Sequence, residues 1–169
     1  DLNFKRTLSN QEANFIVAMG FNNELSLPDE QDSQLKLALK YNIPIICANP
    51  DKYVVKQDGS KSYCAGHIAD NYQKMGGEIL YFGKPYEPIY HYFLGKNSER
   101  QKILAIGDNI TTDILGANKL GIDSLLITNG ILSNEMAKFT DINDKLNYLH
   151  DIFKVNNISS NFIMDSLTW

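Results

Sequence analysis

Three side chains carry the chemistry that this sequence offers. Ile103-Leu104-Ala105-Ile106 is an apolar run that ends in Gly107-Asp108, and a second carboxylate, Asp113, follows near the first turn of a helical stretch. Two carboxylates at one strand end suit a hard cation such as Mg²⁺, which usually takes one or two carboxylates and completes its shell with substrate phosphate oxygens. One strand-helix step upstream stands Gly83-Lys84-Pro85. Its ammonium is a point charge suited to phosphate, on a turn that the proline stiffens. A cation site and a lysine at one edge of a parallel sheet are equipment for phosphoryl chemistry. Each residue alone has a plainer use. Asp108 could start a turn, Asp113 could serve the free amides and dipole of a helix start, and Lys84 could be an exposed turn lysine. The combination points to chemistry.

The elements that must position these groups alternate along the chain. Asn14 to Gly20 is a short apolar strand pattern closed by glycine. Ser26-Leu27-Pro28-Asp29 opens a helix whose stripe is Leu35, Ala38 and Leu39. Ile43 to Ala48 is the next strand and runs into Asn49-Pro50-Asp51, a common loop tripeptide. Tyr53-Val54-Val55 and the Asp58-Gly59 turn form an irregular excursion, and a helix then runs from Ala65 to Met75 until Gly76-Gly77 stops it. A boundary is placed there. Beyond it come strand Ile79 to Phe82, helix Glu87 to Leu94, strand Ile103 to Ile106, helix Thr112 to Leu120, strand Ser124 to Ile127, helix Asp144 to Phe153 and strand Phe162 to Met164. Such alternation implies right-handed crossovers and a parallel sheet flanked by helices, an α/β fold of the Rossmann-like kind. Ligands of such sheets sit outside the carboxyl ends of the strands. Lys84 and Asp108 each follow a strand directly, so both are expected at one edge of one sheet.

Composition narrows the classes. The 169 residues carry a net charge of −4, with no excess of Lys and Arg to neutralise a phosphate backbone, so nucleic acid is not an expected partner. No run approaches the ~20 apolar residues that span a bilayer, and no membrane partner is expected. Cys47 and Cys64 are too few for a disulfide framework and lack metal-ligand spacing, which fits thiols in a reducing cytoplasm. His67, His91 and His150 have no nucleophile or acid at a telling spacing, so a histidine triad has little support. Tyr86, Tyr90 and Phe93 fall with Ile89 at helical spacing and are expected on a core face.

Together, Gly83-Lys84-Pro85, Gly107-Asp108 with Thr112-Asp113, and Ala48-Asn49-Pro50-Asp51 resemble the haloacid dehalogenase-like superfamily. They look like its class IIA branch, phosphatases with a large inserted α/β cap. The resemblance runs from Asn14 to about Ser166. It implies a phosphomonoester hydrolase acting on a small phosphorylated metabolite through an aspartyl-phosphate. In it, Lys84 and Asp113 are catalytic, Asp108 binds Mg²⁺, and Asn49, Pro50 and Asp51 close over the substrate. Residues 1–77 would be the later part of the cap and 78–169 the carboxyl-terminal part of a Rossmann-like core. The chain departs from the family pattern at the front. It opens on Asp1 and contains no Asp-x-Asp motif, so the resemblance places the nucleophile outside this chain and leaves the chain alone inactive. A partial sheet exposes a strand edge, so self-association or docking of a missing amino-terminal half is expected. Two other readings stay open: a non-catalytic module that binds a phosphorylated metabolite, and a nucleotide-binding or receiver-like α/β domain. In a receiver the acidic strand ends precede the lysine, whereas here Lys84 comes first.

Overall fold

The computed structural model describes residues 4–21, 32–56, 58–95, 99 and 102–168. They form two compact units that divide after Gly83. The helix opening expected at Ser26 to Asp29 lies outside the described residues.

In the amino-terminal unit, β1 (Ile16–Ala18), β2 (Ile45–Cys47) and β5 (Ile79–Tyr81) make a parallel sheet in the order β1-β2-β5. Ile16 is in register with Ile45, and Ile45 with Ile79. Helices α1 (Asp32–Lys40) and α2 (Ala65–Lys74) supply Leu35, Ala38, Ala65, Ile68, Ala69 and Tyr72 to its core. Tyr72 is fully buried, and its hydroxyl donates to the Ile43 carbonyl at 2.7 Å, so the largest core ring carries no orphan polar group.

Two expectations are corrected here. The stretch after Asn49-Pro50-Asp51 is not irregular: β3 (Tyr53–Val55) and β4 (Lys61–Tyr63) pair antiparallel, Tyr53 opposite Tyr63. Asp58 closes the turn by accepting from the Ser60 amide at 2.9 Å and its hydroxyl at 2.6 Å. Strands of three residues carry too little alternation to be read as a hairpin. The strand ahead of Lys84 does not join the sheet that carries Asp108. β5 is bonded to β2, with the Ile45 amide donating to Glu78 and the Phe82 amide to Cys47. Periodicity identifies a strand but not its neighbour.

The turn of Asn49 to Asp51 is seated on the start of α2. The Gly66 amide donates to the Asp51 carbonyl at 3.0 Å, and a Cβ at Gly66 would lie 2.0 Å from the Pro50 carbonyl oxygen and 2.6 Å from that of Asp51. Gly66→Ala pits two effects against each other. Alanine favours a helix by up to ~1 kcal/mol, whereas a methyl forced against backbone costs ~1–3 kcal/mol or more. The clash dominates, because the atoms nearest the new methyl are the Pro50 and Asp51 carbonyl groups, backbone that cannot rotate away. A lowered melting temperature is expected; a raised one would show that the turn is free to move off α2.

The carboxyl-terminal unit holds α3 (Glu87–Leu94) and a second parallel sheet, β6 (Leu104–Gly107), β7 (Asp123–Ile127) and β8 (Phe162–Met164), in that order. The helix expected from Thr112 begins earlier. A π-helical turn, Ile110–Ile114, continues into α4 (Leu115–Leu120). Two helices lie between β7 and β8, the short α5 (Ser133–Met136) and then the longer α6 (Ile142–Asn156). Asp141 caps α6 by accepting from the Asn143 amide at 2.7 Å. Ile110, Ile114, Leu126, Met136, Leu149 and Ile158 form one core cluster. A second gathers Ala117, Leu120 and Ile122. Among the described residues no helix is long and apolar enough to cross a membrane.

Candidate active site

β6 ends at Gly107, and Asp108 follows it directly. Asn109 then caps the π-helical turn, its side-chain oxygen accepting from the Thr111 amide at 2.9 Å and hydroxyl at 2.8 Å. That turn carries Asp113 back over the strand end. The Asp113 and Ile114 amides both donate to the Asn109 carbonyl, at 2.8 and 3.2 Å, the wide winding that π-turns often show at functional sites.

Asp113 is buried and both of its carboxylate oxygens are engaged. Oδ1 accepts from Lys84 Nζ at 2.5 Å, and Oδ2 accepts from the Asn109 amide at 3.1 Å. The lysine is half exposed and its partner 8% exposed, so the pair joins a dry carboxylate to a cation that still meets solvent. The structure therefore brings Lys84 and Asp113 together within one unit, although the strand ahead of Lys84 belongs to a different sheet from the strand ahead of Asp108.

Asp108 is held from the other side. Its Oδ2 accepts from the Ile131 amide at 3.0 Å. The site depends on two close approaches that only glycine permits. A Cβ at Gly107 would sit 2.2 Å from the Asp113 carboxylate, and one at Gly130 would sit 2.1 Å from Asp108 Oδ2. Asn129-Gly130 is by residue type an ordinary turn dipeptide, but its glycine is needed because the Asp108 side chain occupies the space a Cβ would fill. Among the described residues no cluster of three or more His, Cys, Asp or Glu could hold a metal ion.

Two further residues were not read as site components. Tyr90 lies on α3 with its hydroxyl over Gly116, 1.9 Å from where a Cβ there would stand, and packs beside Ala117 and Leu120. Burial, together with the negative charge of Asp113, pushes its phenol up to about 12. The core face expected for this helix is only partly realised: Ile89 and Tyr90 are half-buried, whereas Phe93 is exposed. The Thr112 hydroxyl is buried with no hydrogen-bond partner among the described residues, an uncommon state for a native hydroxyl. A threonine inside an apolar helical stripe gave no separate signal.

Asn49, Pro50 and Asp51 form their own turn in the amino-terminal unit, at the carboxyl end of β2. Asn49 Oδ1 accepts from the Asp51 amide at 3.2 Å, and the Cys47 thiol donates to the Asn49 carbonyl at 3.4 Å. Burial pushes that thiol up, away from the reactive thiolate. The His67 ring packs at a tilt of 51° against Tyr63, with centroids 4.7 Å apart, and its Nε2 lies 3.2 Å from Asn71 Nδ2; His91 and His150 are exposed.

Residues 81–152 match a family model described as HAD-hydrolase-like. Among solved structures, a haloacid dehalogenase-like family hydrolase from Brucella suis 1330 is 34% identical with a TM-score of 0.68, over 75% of this chain and 49% of that one. A p-nitrophenyl phosphatase from Archaeoglobus fulgidus is 21% identical, TM-score 0.64, over 94% of this chain and 56% of that one. A possible sugar phosphatase of the HAD superfamily from Cytophaga hutchinsonii is 24% identical, TM-score 0.68, over 93% and 53%. No curated protein matches the chain. The chain spans about half the length of the solved structures it matches.

Proposed function

Because the chain belongs to the haloacid dehalogenase-like superfamily, we propose that the protein is a class IIA phosphomonoester hydrolase of small phosphorylated metabolites. The observation that carries this reading is the Lys84–Asp113 pair beside Asp108. A cation and a buried carboxylate from separate segments meet near the carboxyl end of β6, which Asp108 directly follows, and ligands of parallel sheets bind at such strand ends.

In this reading a carboxylate outside the residues of this chain attacks phosphorus. The bond from phosphorus to the ester oxygen breaks, the leaving alcohol takes a proton, and water then releases inorganic phosphate from the aspartyl-phosphate. Lys84 neutralises negative charge where it accumulates on the transferring phosphoryl group. Asp113 positions that ammonium, since its two oxygens tie Lys84 to the Asn109 amide. Asp108 is the residue that would hold Mg²⁺. The donor set fits that ion, because a hard carboxylate oxygen matches a cation that relies on phosphate and water for its remaining ligands. When bound, Mg²⁺ would polarise the phosphoryl oxygens. Asn49 to Asp51 would meet the leaving group, with residues 1–77 serving as part of a cap and 78–169 as part of the core.

The test is hydrolysis by the intact protein. Release of inorganic phosphate from 4-nitrophenyl phosphate and from a panel of sugar and polyol phosphates is expected with Mg²⁺ and lost with a chelator. Binding of those esters without turnover would instead support the non-catalytic module. Turnover that is indifferent to chelation would remove the assigned role of Asp108.

A further inference from the structure

The loop that grips Asp108 is itself gripped by the end of the chain. Beyond β7, Thr128 is buried, and its amide donates to the Met164 carbonyl at 2.9 Å, continuing the parallel ladder with β8. The ladder would suffice to align two strands, but side chains add to it. Thr128 Oγ1 donates to Asp165 Oδ1 at 2.8 Å, the Asn129 amide donates to the Asp165 carbonyl at 2.9 Å, and Asn129 Nδ2 donates to Ser166 Oγ at 3.2 Å. Immediately after these anchors come Gly130, packed against the Asp108 carboxylate, and Ile131, whose amide donates to Asp108 Oδ2 at 3.0 Å.

We propose that Asp165 and Thr128 are positioning residues that fix the Asp108 carboxylate through the loop 128–131. A carboxylate that accepts one backbone hydrogen bond keeps its orientation only as well as that donor keeps its place. The donor sits on a short connection between β7 and α5, and a loop of this kind is ordered by what holds its ends. The Thr128–Asp165 bond, with a buried hydroxyl at one end, holds the end that leads into Gly130. Residues that orient a metal-binding carboxylate commonly change metal affinity about 10- to 100-fold when removed. The inference rests on the phosphatase reading only for its link to Mg²⁺; the ordering of the loop stands apart from it.

The experiment uses the intact protein with Thr128→Val, Thr128→Ser and Asp165→Ala, and two readouts. Without metal, hydrogen exchange at the Ile131 amide is expected to quicken about 10-fold in Thr128→Val and Asp165→Ala, because the loop opens locally, and to stay near wild type in Thr128→Ser, which keeps the hydroxyl. With Mg²⁺, the concentration for half-maximal hydrolysis is expected to rise about 10-fold in the first two variants, with kcat at saturating Mg²⁺ within about twofold of wild type. Unchanged exchange at Ile131 would overturn the proposal, as would an equal effect in Thr128→Ser. Faster exchange without a change in Mg²⁺ dependence would overturn the link to Asp108. Should Thr128→Val fail to fold, Asp165→Ala decides, since Asp165 lies at the exposed end of the bond. If the intact protein hydrolyses nothing, the phosphatase reading fails, and the exchange measurement still judges the clamp.

Discussion

Replacing Lys84 with methionine should lower kcat/KM of the intact protein by about 10² to 10³ or more, the range for loss of one preorganised electrostatic partner. It should also destabilise the fold. The two effects have different origins, and one further variant separates them. Lys84 is the donor to Oδ1 of a carboxylate that is only 8% exposed. Removing it leaves a buried acceptor unpaired, at a cost of about 1–3 kcal/mol. The half-exposed lysine and the water it admits keep the cost below that of a fully buried pair. Adding Asp113→Asn removes the stranded charge, so the double variant should recover much of the lost melting temperature and none of the rate. Recovery of activity along with stability would mean that Lys84 serves only to keep Asp113 folded. A rate near wild type in Lys84→Met would remove the lysine from the chemistry.

Asp108→Ala should abolish Mg²⁺-dependent turnover, a loss of at least about 10³ in rate if the carboxylate is the chain's contribution to the cation site. Its effect on stability should be smaller than that of the lysine change. The Ile131 amide loses its acceptor and a small void opens against Gly130, together on the order of 1 kcal/mol. Asp108→Asn keeps the shape and an acceptor for Ile131 but not the charge. It should therefore restore stability while leaving the rate near that of the alanine variant. Near-wild-type turnover in Asp108→Ala at saturating substrate, with an unchanged melting temperature, would show that this carboxylate is a turn residue only.

Much of the fold was legible because its cues are local. The runs that became β1, β2, β6 and β7 are short, apolar and closed by glycine or a polar turn. Glu87–Leu94 and Phe162–Met164 fall where periodicity and composition put them. Gly83-Lys84-Pro85 and Gly107-Asp108 announced themselves because a charged residue directly after a strand must stand at the sheet edge, whatever the sheet. The helix start at Ile110 was missed by two residues because the Asn109 cap and the wide π-turn override propensity there.

What a strand pairs with, and what a carboxylate touches, are decided at a distance. Ile79–Tyr81 reads as a strand from its own residues, yet its choice of β2 over β6 depends on hydrogen-bonding edges tens of residues away. Lys84 and Asp113 are separated by 29 positions, and no spacing rule foretells that the second carboxylate is buried under the lysine while the first is held by the Ile131 amide. Gly107 and Gly130 look in the sequence like turn glycines. Only the folded chain shows that each is small because a carboxylate, Asp113 or Asp108, occupies the space its side chain would fill. The sequence by itself determined which residues end strands and carry charge, since chain-local sterics and periodicity suffice for that. The tertiary structure alone decided which of those charges are paired, because pairing and desolvation belong to groups brought together by packing, and packing is not a local property of the chain.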